Sequence, residues 1–211
     1  MQGQRGLTSH WLAPPPPQAT MPTVEALGGG PSGTVLQHGQ NTSPLQQQEL
    51  SSKKTMTHQY QSHIVWTGNR GEGTSGYRSY DRTWDIAIEG KPVIHCSNDP
   101  LLGGDPAKMN PEDLLLSALA ACHMLWYLHY AAVDGVVVLD YQDTPVGIAE
   151  LGPGGAGRFA SATLHPKITL QPGSNVDVAH AIHGRIHEVC FIARSVNFPI
   201  TYEPVFVFAD K

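Results

Sequence analysis

The chain has 211 residues, with 13 Lys and Arg against 18 Asp and Glu, a formal charge of −5. That mildly acidic balance argues against nucleic acid or an anionic membrane surface as the main partner. Three cysteines without CxxC spacing make neither a disulfide framework nor a zinc finger, and no basic stretch followed by an apolar run marks a secretory signal, so a reducing, cytoplasmic setting is the expectation.

Residues 1–55 carry Pro14–Pro17, Gly28–Gly30 and Gln46–Gln48 with no periodic apolar pattern. Such a segment buries too little apolar surface to offset its ordering entropy, so it is expected to be a disordered or dispensable leader. The Asn41-Thr42-Ser43 sequon carries no weight without a secretory signal. Residues 56–211 then form one domain of ordinary size.

His58 to Thr67 alternates apolar and polar residues and predicts a strand. Gly68 to Gly76 is a glycine-rich loop holding a literal GxGxxG at Gly71, Gly73 and Gly76. A dinucleotide fingerprint needs a helix next. Thr83 to Ile88 alternates as a strand instead, which removes that reading. Pro92 to Cys96 predicts a third strand, and Ser97 to Met109 a loop.

Asn110 to Ala132 predicts a long helix. Asn110 suits the N-cap, Pro111 the first turn, and Glu112 and Asp113 the positive end of the helix dipole. From Leu114 to Val133 there is no formal charge and apolar residues lie on every face, so burial on all sides is expected. The length would span a bilayer. However, no Lys or Arg cluster flanks it, His123 and His129 interrupt it, and Cys122 sits at its centre. A buried helix of a soluble protein is the better reading. Gly135 ends it, and Val136 to Tyr141 predicts a strand, followed by a strand region from Arg158 to Leu170 broken near Pro166. Asn175 caps a second helix carrying Val178, Ile182, Ile186, Val189 and Ala193 at helical spacing, with Pro199 as its outer limit. Ile200 to Phe208 predicts a final strand. Runs of strands separated by single helices define an α+β domain with antiparallel sheets.

Three features are candidates for chemistry: Cys122, the segment His187-Glu188-Val189-Cys190, and Arg70 in its glycine loop. Each has a plain structural counterpart. A lone Cys in an apolar helix is usually a small buried hydrophobe, and Arg in a glycine-rich loop is usually solvated. Two cysteines on the only two helices raise the functional reading, because those helices are expected to pack together. Zinc is the alternative: His183, His187 and Cys190 lie at i, i+4 and i+7, and His123 adjoins Cys122. No familiar carboxylate–histidine spacing supports it. Cys96 has no helical or His context and reads as structural.

NPEDLLLSALAACHMLWYLH and HEVCFIARSVNFP resemble the two helix signatures of the OsmC/Ohr family of thiol-dependent hydroperoxide reductases. Trp66-Thr67-Gly68-Asn69-Arg70 is similar to that family's arginine loop. The resemblance spans about residues 58–208 and implies the OsmC-like fold, with antiparallel sheets wrapped around two central helices in an intertwined homodimer. It also implies roles: Cys122 as peroxidatic thiol, Cys190 as resolving thiol, Arg70 as activator and Glu112 as its carboxylate partner. A hydroperoxide substrate, an external dithiol reductant such as a lipoylated protein, and no cofactor or metal follow. His123 and Phe191 depart from the family pattern, which often has an aromatic after the first Cys and Pro after the second. Glu112 and Cys122 are ten residues apart, about 15 Å along a helix axis. If one arginine serves both, a second chain is expected to supply part of the site.

Overall fold

The structure, a computed structural model, describes Thr57–Asp210. The leader expected for residues 1–55 lies outside the described residues. The elements run β1 (His63–Trp66), β2 (Trp84–Ala87), β3 (Ile94–Cys96), α1 (Pro111–Val133), β4 (Val138–Asp143), β5 (Val146–Leu151), β6 (Gly157–Leu164), β7 (Pro166–Leu170), α2 (Val176–Ile186), β8 (Ile200–Tyr202) and β9 (Val205–Phe208). This is the expected α+β class.

The strands form three three-stranded sheets, ordered β1-β2-β3, β4-β7-β9 and β5-β6-β8. The pairing corrects the expectation of purely antiparallel sheets. β6 pairs with β8 and β7 with β9 in parallel. The C-terminal strand predicted over Ile200 to Phe208 is two strands, because Pro204 cannot donate to a ladder and the chain changes sheets there. The break expected near Pro166 falls at His165, whose N–H donates to Asp143 Oδ1 at 2.8 Å. β5 had no separate signal in the sequence. It pairs antiparallel with β6, and Gly147 is required in it: a Cβ there would run into the ring of Phe159.

α1 starts where the capping residues place it. Asn110 accepts from Asp113 N at 2.7 Å, and Asp113 Oδ2 accepts from Asn110 N at 3.1 Å, a reciprocal capping box. At the far end the chain turns at Gly135, where φ is +74°. α2 begins at its predicted cap, Asn175, whose side chain accepts from Asp177 N and Val178 N. It stops at Ile186, well short of Ala193. The residues beyond form turns and a 3-10 segment at Ala193–Ser195.

The core gathers Leu119, Tyr127 and Ala131 of α1 with Ile182 and Ile186 of α2, over Leu164, Ile168 and Leu170 of β6 and β7. Within this chain α1 is buried along one stripe, Leu119, His123, Tyr127 and Ala131, every fourth residue. Its other faces stay open: Leu125 is 63% and Val133 69% exposed. Full burial of an all-apolar helix is therefore not reached in one chain. The β1-β2-β3 sheet contributes nothing to the core cluster. Its link onward is a bridge from Cys96 to Met109, beside a Ser97 N–H to Met109 O bond of 2.9 Å.

Candidate functional site

Cys122 lies midway along α1, and Cys190 lies on the turn after α2. Their side chains meet: Cys190 Sγ donates to Cys122 Sγ across 2.7 Å. A disulfide bond is about 2.05 Å long, so joining them needs only a small side-chain shift. Both are free thiols, Cys190 fully buried and Cys122 half-buried.

The position of Cys190 comes from the way α2 ends. Its N–H closes a last helical bond to Ile186 O at 2.9 Å. Its sulfur then accepts from Ala193 N at 3.4 Å, much as a polar N-cap side chain would. Burial, and then the hydrogen bond to Cys122, push the Cys190 thiol up to about 11; the Ala193 and Ile192 N–H groups pull weakly the other way. Cys190 therefore keeps its proton near neutrality. The two sulfurs are inequivalent: one is protonated and enclosed, the other is partly open to small molecules.

Next to Cys122 in the chain, His123 shares a hydrogen bond of 2.8 Å with His183, Nε2 to Nδ1. Their rings lie nearly parallel, 14° apart with centroids at 5.1 Å, Tyr202 stacks on His183 at 5.1 Å, and Tyr127 leans on His183 at 4.6 Å. Burial holds His123 down at about 4. Burial, reinforced by the neighbouring His123 and His180, holds His183 at about 3. Both rings are neutral at ordinary pH. His183 Nε2 is buried without a partner. The sequence offered both histidines as metal-ligand candidates, and their pairing with each other carried no spacing signal. The zinc arrangement does not assemble: His187 is an exposed C-cap residue, His183 turns inward to His123, and no metal-ligating cluster of three occurs among the described residues.

Arg70 and Glu112 are not joined to the thiols within this chain. Arg70 is held by its own loop, with Nε donating to Ser79 O at 3.3 Å, Nη2 donating to Arg78 O, and an ion pair to Asp81 at 3.7 Å. Gly68 permits that loop to close, since a Cβ there would overlap the Asp81 carbonyl. Glu112, in the first turn of α1, lines a cavity of about 690 Å³ together with Leu115, Leu151, Arg158, Phe159 and Phe198. Neither cysteine lines it. Cys96 is buried against the loop that follows it, in keeping with a structural role.

The α+β domain thus brings one thiol from each of its two helical segments into contact. Residues 103–204 match the OsmC-like protein family model. No curated protein matches it. Among solved structures, an OsmC-like protein of unknown function from Vibrio cholerae O1 biovar eltor str. N16961 superposes with a TM-score of 0.64 at 26% identity, covering 71% of this chain and all of that one. The Legionella pneumophila organic hydroperoxide resistance protein OsmC superposes at 0.51 with 20% identity, covering 71% of this chain and 98% of that one. An organic hydroperoxide resistance protein from Elizabethkingia anophelis superposes at 0.52 with 17% identity, covering 73% of this chain and all of that one. The last two likenesses establish the fold alone.

Proposed function

We propose that this protein is a thiol-dependent peroxidase that reduces organic hydroperoxides, and hydrogen peroxide as a lesser substrate, in cytoplasmic oxidative-stress defence. The observation that carries the reading is the contact between a half-buried Cys122 and a buried, protonated Cys190 at 2.7 Å. In the first step the Cys122 thiolate attacks one peroxide oxygen, the O–O bond breaks, and an alcohol leaves after taking up a proton. Cys122 becomes a sulfenic acid. Cys190 then forms the disulfide with it and one water departs. An external dithiol, such as a lipoylated protein, returns both thiols by exchange and is itself oxidised.

The thiolate is the attacking form of a cysteine, and a neighbouring cation favours it. Arg70 is the group assigned to that task and Glu112 the carboxylate that orients it. Both act from a second chain in a homodimer. The open face of α1 at Leu125 and Val133, and a β1-β2-β3 sheet with Ile64 and Trp66 exposed outside the core, support such a partner. The test is peroxide consumption with a dithiol reductant by the wild type, Cys122→Ser and Cys190→Ser. Wild-type turnover lost in Cys122→Ser supports the reading. A Cys122→Ser protein as active as the wild type overturns it.

A further inference from the structure

The two thiols sit on different helical segments, and their separation depends on how α1 is registered against α2. Apolar contacts permit sliding, whereas a hydrogen bond of 2.8 Å tolerates little of it. The nearest directional link to the thiols is the one between His123 and His183. His123 follows Cys122 directly. His183 is one turn before Ile186, whose carbonyl holds the Cys190 amide at 2.9 Å. The other buried link between the helices, Tyr127 Oη donating to Ala179 O at 3.1 Å, lies a further turn away from the sulfurs.

The pair is also expensive. Two imidazoles are desolvated, and His183 Nε2 has no partner. Two apolar rings of similar volume would fill the same space without that cost. Tyr127 and Tyr202 both pack on His183 and restrict the plane in which its nitrogen meets His123.

We propose that the His123–His183 hydrogen bond is a positioning device that sets the register of α1 on α2 and so holds Cys122 and Cys190 at disulfide-forming distance. Both histidines are positioning residues; neither touches a reacting atom. The inference rests on the two-thiol redox reading above, but it concerns the equilibrium of the pair and is tested without peroxide. Oxidised glutathione accepts the two electrons: the thiols form one S–S bond, and two reduced glutathione molecules leave with the two protons.

The experiment equilibrates full-length protein in glutathione buffers of graded ratio and quantifies the Cys122–Cys190 disulfide by mass spectrometry after acid quench and alkylation. His123→Phe, which keeps a ring but no ring nitrogen, lowers the equilibrium constant about tenfold or more, a rise in reduction potential of about 30 mV or more. His123→Gln, whose amide reaches the position of Nε2, stays within a few-fold of the wild type. Tyr127→Phe, which removes the more distant link, leaves the constant unchanged. Should His123→Phe not accumulate as folded protein, His183→Leu against His183→Asn gives the same comparison from the other helix. A constant unchanged in His123→Phe, or lowered equally by Tyr127→Phe, overturns the proposal, as does failure of the wild type to form this disulfide at any ratio. A disulfide that forms and depends on His123, in a protein that consumes no peroxide, upholds the positioning role and removes the peroxidase reading.

Discussion

The amide of Ala193 donates to the sulfur of Cys190, while that same sulfur donates to Cys122. Cys190 is thus held from both sides, as acceptor from the backbone and as donor to its partner thiol. Its orientation needs no substrate to be set, and burial keeps its proton in place near neutrality.

The first expectation concerns the order of events. Cys190→Ser reacts once with peroxide and then accumulates a sulfenic acid, or a sulfinic acid under excess oxidant, on Cys122. Cys122→Ser leaves Cys190 unmodified at one equivalent, because that thiol is buried and protonated. Peptide mass spectrometry after a dimedone trap distinguishes the two. Adduct on Cys190 in Cys122→Ser, formed at the wild-type rate, reverses the roles.

Arg70→Ala slows oxidation of Cys122 by about 100-fold or more, as removal of a preorganised electrostatic donor typically does. Stopped-flow oxidation monitored by thiol loss reads this directly. An unchanged rate would confine Arg70 to closing its own loop through Arg78, Ser79 and Asp81.

Shared sites make a mixing experiment informative. Co-refolding inactive Cys122→Ser with inactive Glu112→Ala restores one competent site per heterodimer if Glu112 and Arg70 act across the interface. Heterodimers that form without recovering activity place the site inside one chain.

Acid stability follows from the buried imidazoles. In the unfolded chain both histidines protonate near their ordinary value of 6.5, whereas burial holds His123 at about 4 in the folded state. Between these values the unfolded state binds more protons, so stability is full above about pH 6.5 and declines as pH falls toward 4. The loss for His123 is on the order of 3 kcal/mol. Asp143, whose carboxyl burial raises, works in the opposite sense at the acid end. Urea unfolding from pH 7 to 4 measures the slope, and His123→Phe should flatten it. A wild-type slope of zero would mean the rings charge in place.

Packing gives a sharper contrast at one position. Tyr127→Ala empties a fully buried aromatic site and should destabilise the fold by about 3–5 kcal/mol. Tyr127→Phe, losing only the bond to Ala179 O, should cost about 1 kcal/mol. Equal midpoints in denaturant for the two variants would contradict the packing described.

Local chemistry was the part of the fold readable from the chain. Asn110 and Asn175 announced both helix starts, since capping is written in adjacent residues. Two cysteines on packed helical segments were expected to lie near each other, although Cys190 sits on the turn after α2 and not on the helix itself. Interactions between distant residues were hidden. His123 and His183 are sixty positions apart and carry no periodic signal, so each read as a ligand candidate. The stop of α2 at Ile186 was obscured because Val189 and Ala193 keep helical spacing through a turn that Cys190 itself organises. β5 went unseen because Val146-Gly147-Ile148-Ala149 packs Gly147 against Phe159, a demand imposed by the neighbouring strand.

The splitting of the last strands has a consequence for synthesis. β8 and β9 are made last among the described elements, yet each completes a different sheet by pairing with β6 or β7 across the whole of α2. Until residues 200–208 have left the ribosome, both sheets carry an unpaired edge, and Leu164, Ile168 and Leu170 wait beside it. Such open edges are where nascent chains associate wrongly. Both of these sheets therefore mature late, and a chain interrupted before Ile200 loses the last strand of each at once.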